Sequence, residues 1–149
     1  MSGSEQSFSL AAYAVVTNER DEVLLTRRRE GGEWVLPGGS VKQEEAPWEA
    51  AEREVREETG VEISDLRLTG VYTKRTERDL VLVFSAAAVR GTPRGSDERD
   101  RVAFTDANQL PERTAERDRQ RIAHALAAHQ QPVLAVQPSD ADEPPPGTR

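Results

Sequence analysis

The chain has 149 residues, 36% of them hydrophobic, with a formal net charge of −7 and no cysteine. This length suffices for one domain with its own core and is too short for two domains of ordinary size. The composition excludes disulfides and thiolate chemistry, and the negative charge argues against a nucleic acid duplex as partner, although a local basic pocket could still bind one phosphate ligand.

Residues 1–7 are small and polar, and we expect them to form a disordered tail. They lack the basic segment and the continuous apolar stretch of a signal peptide. No run in the chain approaches the roughly 18 apolar residues that a membrane span requires. We therefore expect a cytoplasmic protein with no membrane partner, in keeping with the absence of cysteine.

The first half of the chain begins with two apolar runs, residues 8–17 and 23–27, separated by a polar turn. This pattern predicts a β-hairpin. A short strand over 34–36 stops at Pro37. A helix follows, with Pro47 in its first turn and Gly60 as its terminator.

The second half predicts paired strands at 66–72 and 80–89, joined by a polar turn, and a short strand at 102–104. A final helix is expected over about 112–130. Residues 131–149 are rich in proline and acids, which is typical of a linker or disordered tail. The sequence thus predicts one α/β (α+β) domain over 8–130.

The central helix carries acidic residues whose directions follow from its geometry, since an α-helix turns about 100° per residue. With Trp48 at 0°, a buried stripe is predicted within about 60° of it, formed by Trp48, Ala51, Val55 and Thr59. A strip at about 180° to 280° contains Glu54, Glu57 and Glu58. Glu49, Glu52 and Arg56 are predicted to face water.

Three carboxylates at this spacing repel one another unless a positive charge lies between them. Their oxygen atoms suit Mg²⁺, Mn²⁺ or Ca²⁺ and disfavour soft metals. Glu45 and Arg53 carry opposite charges that could tie the preceding loop to the helix. Gly38 and Gly39 permit a tight turn whose carbonyl could join the metal ligands.

These residue types and spacings resemble the signature of the Nudix hydrolases. The seven fixed positions are Gly39, Glu45, Arg53, Glu54, Glu57, Glu58 and Gly60, with Val55 and Val61 at the aliphatic positions. The approach to the signature, over residues 24–38, is also similar to the family. The one departure lies at 42–44, where relatives often have Glu-x-Gly. The resemblance spans about residues 8–130 and implies an α/β/α sandwich with a mixed sheet between helices.

The resemblance implies hydrolysis of a nucleoside diphosphate linked to another group, with Mg²⁺ or Mn²⁺ as cofactor. Glu54, Glu57, Glu58 and the Gly39 carbonyl would hold the metal. Glu45 and Arg53, with Gly38 and Gly60, would support the site. The general base would be Glu54 or a glutamate of a later loop, for which Glu98 is the candidate in this chain; a solvated loop acid is the alternative for Glu98.

Three residues are candidates for substrate binding, each with a structural alternative. Arg27 lies at the family position that can meet a substrate phosphate, or it is an ordinary strand-end cation. Trp34 stacks on a base or belongs to the core. Arg75, in the basic turn with Lys74 and Arg78, reaches phosphates or ribose or is solvated. We expect Arg28 and Arg29 to face water, and His124 and His129 to be structural or exposed.

The substrate itself stays open. The position about fifteen residues after the signature, proline in many ADP-ribose hydrolases, is Thr76, and 77–79 contain no tyrosine of the dinucleoside polyphosphate type. Nucleoside triphosphates, modified nucleotides, ADP-ribose and nucleotide sugars all remain. The alternative to a hydrolase is a nucleotide-sensing Nudix domain without catalysis. The isomerase branch requires a cysteine and is excluded. Family members are often dimers, so a homodimer stays open.

Overall fold

A computed structural model describes residues 7–127 and 130–139 of the chain. Its strands are β1 (Ser9–Thr17), β2 (Glu22–Arg28), β3 (Trp34–Val35), β4 (Gly38–Ser40), β5 (Glu62–Thr73), β6 (Asp79–Arg90), β7 (Arg99–Asp106) and β8 (Val133–Val136). Its helices are α1 (Pro47–Thr59) and α2 (Glu116–Leu126). None of the helices in these residues is both long and apolar enough to cross a membrane.

The strands form one mixed sheet in the order β3-β2-β1-β6-β5-β8, with β4 paired to β1 and β7 paired to β2. The two predicted hairpins are present: β1 pairs with β2 and β5 with β6, both antiparallel. β1 and β6 are parallel neighbours along their whole length. The pairing of β2 with β7 brings the segment before β7 to the edge of the sheet near β4.

The two helices cover opposite faces of the sheet, because alternate residues of each strand point to opposite sides. On β1, Ala14 and Val16 pack with Val55 of α1. Val15, between them, packs on the other side with Ile122 of α2. The prediction of an α+β sandwich with a mixed sheet is therefore confirmed.

Helix α1 begins and ends where the sequence predicts. Pro47 occupies the first turn, and the Glu49 carboxylate accepts a hydrogen bond of 2.8 Å from the backbone N–H of Ala46. Gly60 ends the helix in the left-handed conformation, with φ of 76°, which favours glycine. These two ends fix the position of the C-terminal half of the helix, which carries Glu54, Glu57 and Glu58.

The prediction that Trp48 is buried is wrong, because its residue surface is 54% exposed. Ala51 is fully buried as predicted, Ala50 is fully buried beside it, and both pack with Ala12 and Phe84 of the sheet. Two alanines let the helix approach the sheet closely, and the indole on its flank stays outside this contact. Val55 and Thr59 are buried as predicted.

The C-terminal part of the domain differs from the expectation. Residues 111–114 form a turn, in which Thr114 N–H donates to the Pro111 carbonyl, so α2 begins at Glu116 and ends at Leu126. β8 lies inside the predicted tail over 131–149, where it pairs in parallel with β5. The sheet therefore extends past the predicted domain boundary at residue 130. His129 and residues 1–6 and 140–149 lie outside the described residues.

Candidate active site

The acidic residues of α1 line a cavity of about 350 Å³ at the end of the helix, hereafter the acidic cavity. Its other wall is the segment that leads into β7. The lining residues are Glu54, Glu57, Glu58, Ser96, Asp97, Glu98 and Arg99. The helix places the first three on one side through their i, i+3 and i+4 spacing, and the pairing of β2 with β7 supplies the opposite side.

Glu58 is the most enclosed carboxylate of this cavity, with a side chain that is 14% exposed. The backbone N–H of Gly38 donates to its Oε1 at 3.0 Å, and Arg99 Nη2 lies 3.4 Å from its Oε2. Burial, followed by a hydrogen bond with Glu54, raises the pKa of Glu58 to about 8, although Arg99 and the Gly38 N–H act against the shift. Two carboxyl groups therefore meet here with too little positive charge to ionise both readily.

Arg53 connects the other carboxylates to the loop before the helix. Its Nε and Nη2 donate to the two oxygens of Glu45 at 2.6 and 3.0 Å. Its Nη1 donates to Glu54 at 2.7 Å and to Glu57 at 2.9 Å. The pKa of Arg53 is raised, chiefly by its hydrogen bonds to Glu45. Glu54 is thus fixed between Arg53 and Glu58, whereas the Glu57 side chain is 52% exposed at the rim of the cavity.

The two glycines of β4 allow the backbone to come close to this cluster. A Cβ atom on Gly39 would lie 2.8 Å from Glu54 Oε2, so a side chain here would displace that carboxylate. Gly38 has φ of 154° and lies against Ala12 and Tyr13 of β1. The absence of side chains at both positions lets the Gly38 N–H reach Glu58.

We expect Glu45→Gln to lower the melting temperature at pH 7 and to make stability less dependent on pH in acid. The hydrogen bond from Arg53, followed by that from the Lys42 N–H, lowers the pKa of Glu45 from 4.5 to about 2. The folded state favours the ionised form, so this link stabilises the protein above pH 4.5 and is lost as the pH falls towards 2.

Melting curves from pH 7 to pH 2 for the wild type, Glu45→Gln and the exposed control Glu44→Gln would test this. The difference between wild type and Glu45→Gln should close over the acid range. A difference that stays constant with pH would contradict the assignment.

The donor set at Glu54 and Glu58 fits a hard divalent cation, because it consists of carboxylate oxygens with no nitrogen or sulfur ligand. The raised pKa of Glu58 points the same way, since a cation between the two groups would allow both to ionise. Within residues 7–127 and 130–139, no three acidic or histidine side chains converge closely enough to form a complete metal cage. Glu54 and Glu58 therefore form the central pair, and Arg53 holds Glu57 aside.

Glu98 is exposed and lies on the wall of the cavity opposite α1. The chain thus brings this loop glutamate to the same cavity as Glu54, although the two are distant in sequence.

The three substrate-binding candidates lie elsewhere. Arg27 is engaged by Asp100 through two hydrogen bonds, of 2.9 and 2.6 Å, which lower the pKa of Asp100. Trp34 packs against the core on the α2 side of the sheet, with Arg101 6.0 Å from its ring centroid. Arg75 is exposed in the turn between β5 and β6 and does not line the acidic cavity. Arg27 and Trp34 thus have structural partners, and a role in substrate binding stays a prediction for all three residues.

The sequence did not indicate a role near the acidic cavity for two arginines. Arg99 contacts Glu58 directly. Arg28 was expected to face water, but its Nε is buried and has no hydrogen-bond partner. The signal in the sequence was the position of Arg28 at the end of an apolar strand, where a second cation, Arg29, follows it. Sequence alone did not show which side chain turns inward.

The model of the NUDIX domain family matches residues 7–126 of the chain. The chain belongs to the Nudix family. A MutT-like protein of Streptomyces ambofaciens is 36% identical over 118 residues, which cover 79% of this chain and 77% of that protein. Its membership of this family identifies the chain as a Nudix pyrophosphohydrolase.

Two further known proteins extend the comparison. A Bacillus subtilis protein with the provisional name 8-oxo-dGTP diphosphatase is 34% identical over 84 residues, 56% of each chain. The crystal structure of an ADP-ribose pyrophosphatase from Streptococcus suis superposes with a TM-score of 0.73 and 20% identity, covering 87% of this chain and 98% of that one. The latter similarity concerns the fold alone.

Proposed function

We propose that this Nudix enzyme is a divalent-metal-dependent hydrolase that cleaves the phosphoanhydride linkage of a nucleoside diphosphate derivative. The observation that carries the proposal is the contact between Glu54 and Glu58 in the acidic cavity, where burial raises the pKa of Glu58 to about 8. Two carboxyl groups this close repel each other when both are ionised, and a bound cation would offset that repulsion. The provisional name of the Bacillus subtilis relative, 8-oxo-dGTP diphosphatase, describes a substrate with such a linkage.

Glu54 and Glu58 would hold Mg²⁺ or Mn²⁺, with Glu57 and the Gly39 carbonyl as further ligands. The metal would supply charge neutralisation at the anhydride oxygens and a lower pKa for water. The Gly38 N–H fixes the position of Glu58, and Arg53 fixes that of Glu54. These contacts hold the ligands in place before substrate binds, which is what electrostatic stabilisation of a transition state requires.

Glu98 is our candidate for the general base, with Glu54 as the alternative. Glu98 is exposed at the cavity wall that faces the carboxylates, so it can accept a proton and release it to solvent. Glu54 is held in place by hydrogen bonds with Arg53 and Glu58.

A panel of nucleotides assayed with and without Mg²⁺ or Mn²⁺ tests the proposal. The panel should include nucleoside triphosphates, 8-oxo-dGTP, ADP-ribose and a nucleotide sugar. We expect metal-dependent release of phosphate, pyrophosphate or a nucleoside monophosphate from at least one of them. Tight binding of a nucleotide without turnover of any would instead favour a sensing domain.

A further inference from the structure

A second cavity of about 610 Å³ adjoins the acidic cavity and is hereafter the arginine cavity. Its lining residues are Arg28, Arg29, Glu30, Asp97, Glu98 and Arg99. The last three also line the acidic cavity, so the two cavities share one wall. A volume of several hundred Å³ is typical of sites for small ligands. A single elongated molecule could therefore occupy both cavities.

Arg28 and Arg99 are direct neighbours on adjacent strands, because the register of β2 and β7 pairs their Cα atoms. Side chains in such positions lie about 5 Å apart at their Cβ atoms, and two like charges there destabilise a sheet. Arg99 has one acidic contact, to Glu58 at 3.4 Å. The pair thus concentrates positive charge beside the acidic cluster.

Both guanidinium groups have an unmet hydrogen-bonding atom. Within the described part of the chain, Arg28 Nε and Arg99 Nε are the buried side-chain polar atoms that lack a partner. A buried donor without an acceptor is costly and rare in native proteins, so each one calls for an explanation. These two atoms are shielded from solvent, so a ligand with acceptor oxygens in the arginine cavity would bind the other N–H donors of the two arginines, both of which line it.

Among the described residues, the other charged side chains that line the arginine cavity form no ion pair with Arg28 or Arg99. Arg29 is exposed, and it donates to the carbonyls of Asp97 and Ser96, which holds the loop before β7. Glu30, Asp97 and Glu98 are exposed to solvent. The acceptor that suits two adjacent guanidinium groups is a phosphate, which they can bind through paired N–H donors.

We propose that Arg28 and Arg99 bind a phosphate group that lies outside the linkage that is cleaved. The substrate class is then a compound with at least three phosphates in a chain, such as a nucleoside triphosphate. ADP-ribose and nucleotide sugars have two phosphates, both within the cleaved linkage, and leave the arginine cavity without a phosphate. This inference rests on the proposed function, since it places the cleaved linkage at the acidic cavity.

The decisive variant is Arg28→Gln, since no ion pair joins Arg28 to an acidic side chain in the described part of the chain, whereas Arg99 pairs with Glu58. With Mg²⁺, we expect the wild type to favour dGTP or ATP over ADP-ribose by at least about tenfold in kcat/KM. Arg28→Gln should lower kcat/KM for the triphosphates by about 10- to 100-fold, mainly through KM, and that for ADP-ribose by a clearly smaller factor. Arg28→Lys keeps the charge and should fall between the two. The matched control is Arg20→Gln, which removes an equal charge from the exposed turn between β1 and β2. It should leave kcat/KM unchanged for both kinds of substrate.

A binding measurement without metal separates this inference from the proposed function. Inorganic tripolyphosphate should raise the melting temperature of the wild type and of Arg20→Gln but not that of Arg28→Gln. Hydrolysis of tripolyphosphate as well as of nucleoside triphosphates would show that the phosphate chain itself is recognised, which supports the inference. Preference for ADP-ribose, or equal activity of wild type and Arg28→Gln on triphosphates, would overturn it. If no compound is hydrolysed, the proposed function fails, and the tripolyphosphate shift still decides the role of Arg28.

Discussion

Glu58→Gln should lower turnover by several orders of magnitude and leave the protein folded. The substitution removes the ionisable oxygen that would bind the metal, while an amide carbonyl oxygen can still accept the hydrogen bond from Gly38. With its pKa raised to about 8, Glu58 is mostly neutral at pH 7 in the metal-free protein, so glutamine replaces a neutral group of nearly the same shape. The measurements are kcat on the best nucleotide of the panel and the melting temperature.

The melting temperature gives a second readout of the same variant. Because the folded state favours protonated Glu58, the wild-type residue costs stability as the pH rises from 4.5 through about 8, and Glu58→Gln removes that cost. We therefore expect the metal-free variant to melt at or above the wild-type temperature at pH 8. Mg²⁺ should raise the melting temperature of the wild type and not that of the variant.

Glu52→Gln is the matched control, since it makes the same change on the exposed face of α1. It should retain full activity and the stabilisation by Mg²⁺. Near-normal turnover of Glu58→Gln would show that Glu58 does not hold the metal.

Asp118→Ala should produce the largest loss of stability, about 3–5 kcal/mol. Asp118 and Arg121 lie on the buried side of α2, where they are 1% and 3% exposed. Their side chains are 3.3 Å apart. Asp118 also accepts a hydrogen bond of 3.1 Å from the backbone N–H of Leu36. Its removal leaves a buried guanidinium without its anion and a buried N–H without its acceptor. Denaturant unfolding at pH 7 measures the change in the free energy of unfolding.

Two variants control for this result. Glu112→Ala removes an exposed acid just before α2 and should change stability by no more than about 0.5 kcal/mol. The double variant Asp118→Leu with Arg121→Met removes both buried charges and should be less destabilised than Asp118→Ala. A loss within about 0.5 kcal/mol for Asp118→Ala would contradict the importance of this pair.

Local sequence patterns predicted much of the fold. Alternating and continuous apolar runs located the two hairpins, and Pro47 and Gly60 marked the ends of α1. Tertiary contacts overrode the local pattern in two places. Trp48 is exposed because two buried alanines bring the helix close to the sheet. β8 forms in a proline-rich segment because an edge of β5 is available to pair with it.

The long-range contacts of α2 could not be predicted in the same way. The buried Gln137 follows β8 and donates to the Arg117 carbonyl, while Arg121 Nε donates to its side-chain oxygen. The sequence assigned this glutamine to a tail, because a single polar residue among prolines carries no sign of burial. Its position depends on how α2 and β8 meet.

The sequence by itself determined the family and the acidic cluster. The spacing of Glu54, Glu57 and Glu58 is local to one helix, whose regular geometry places residues three and four positions apart on one side. The tertiary structure alone decided that the Gly38 N–H and Arg99 reach Glu58, and that Arg28 lies beside Arg99. The physical reason is that strand pairing joins residues from distant parts of the chain, and its register is set by the whole sheet and not by the sequence next to either arginine.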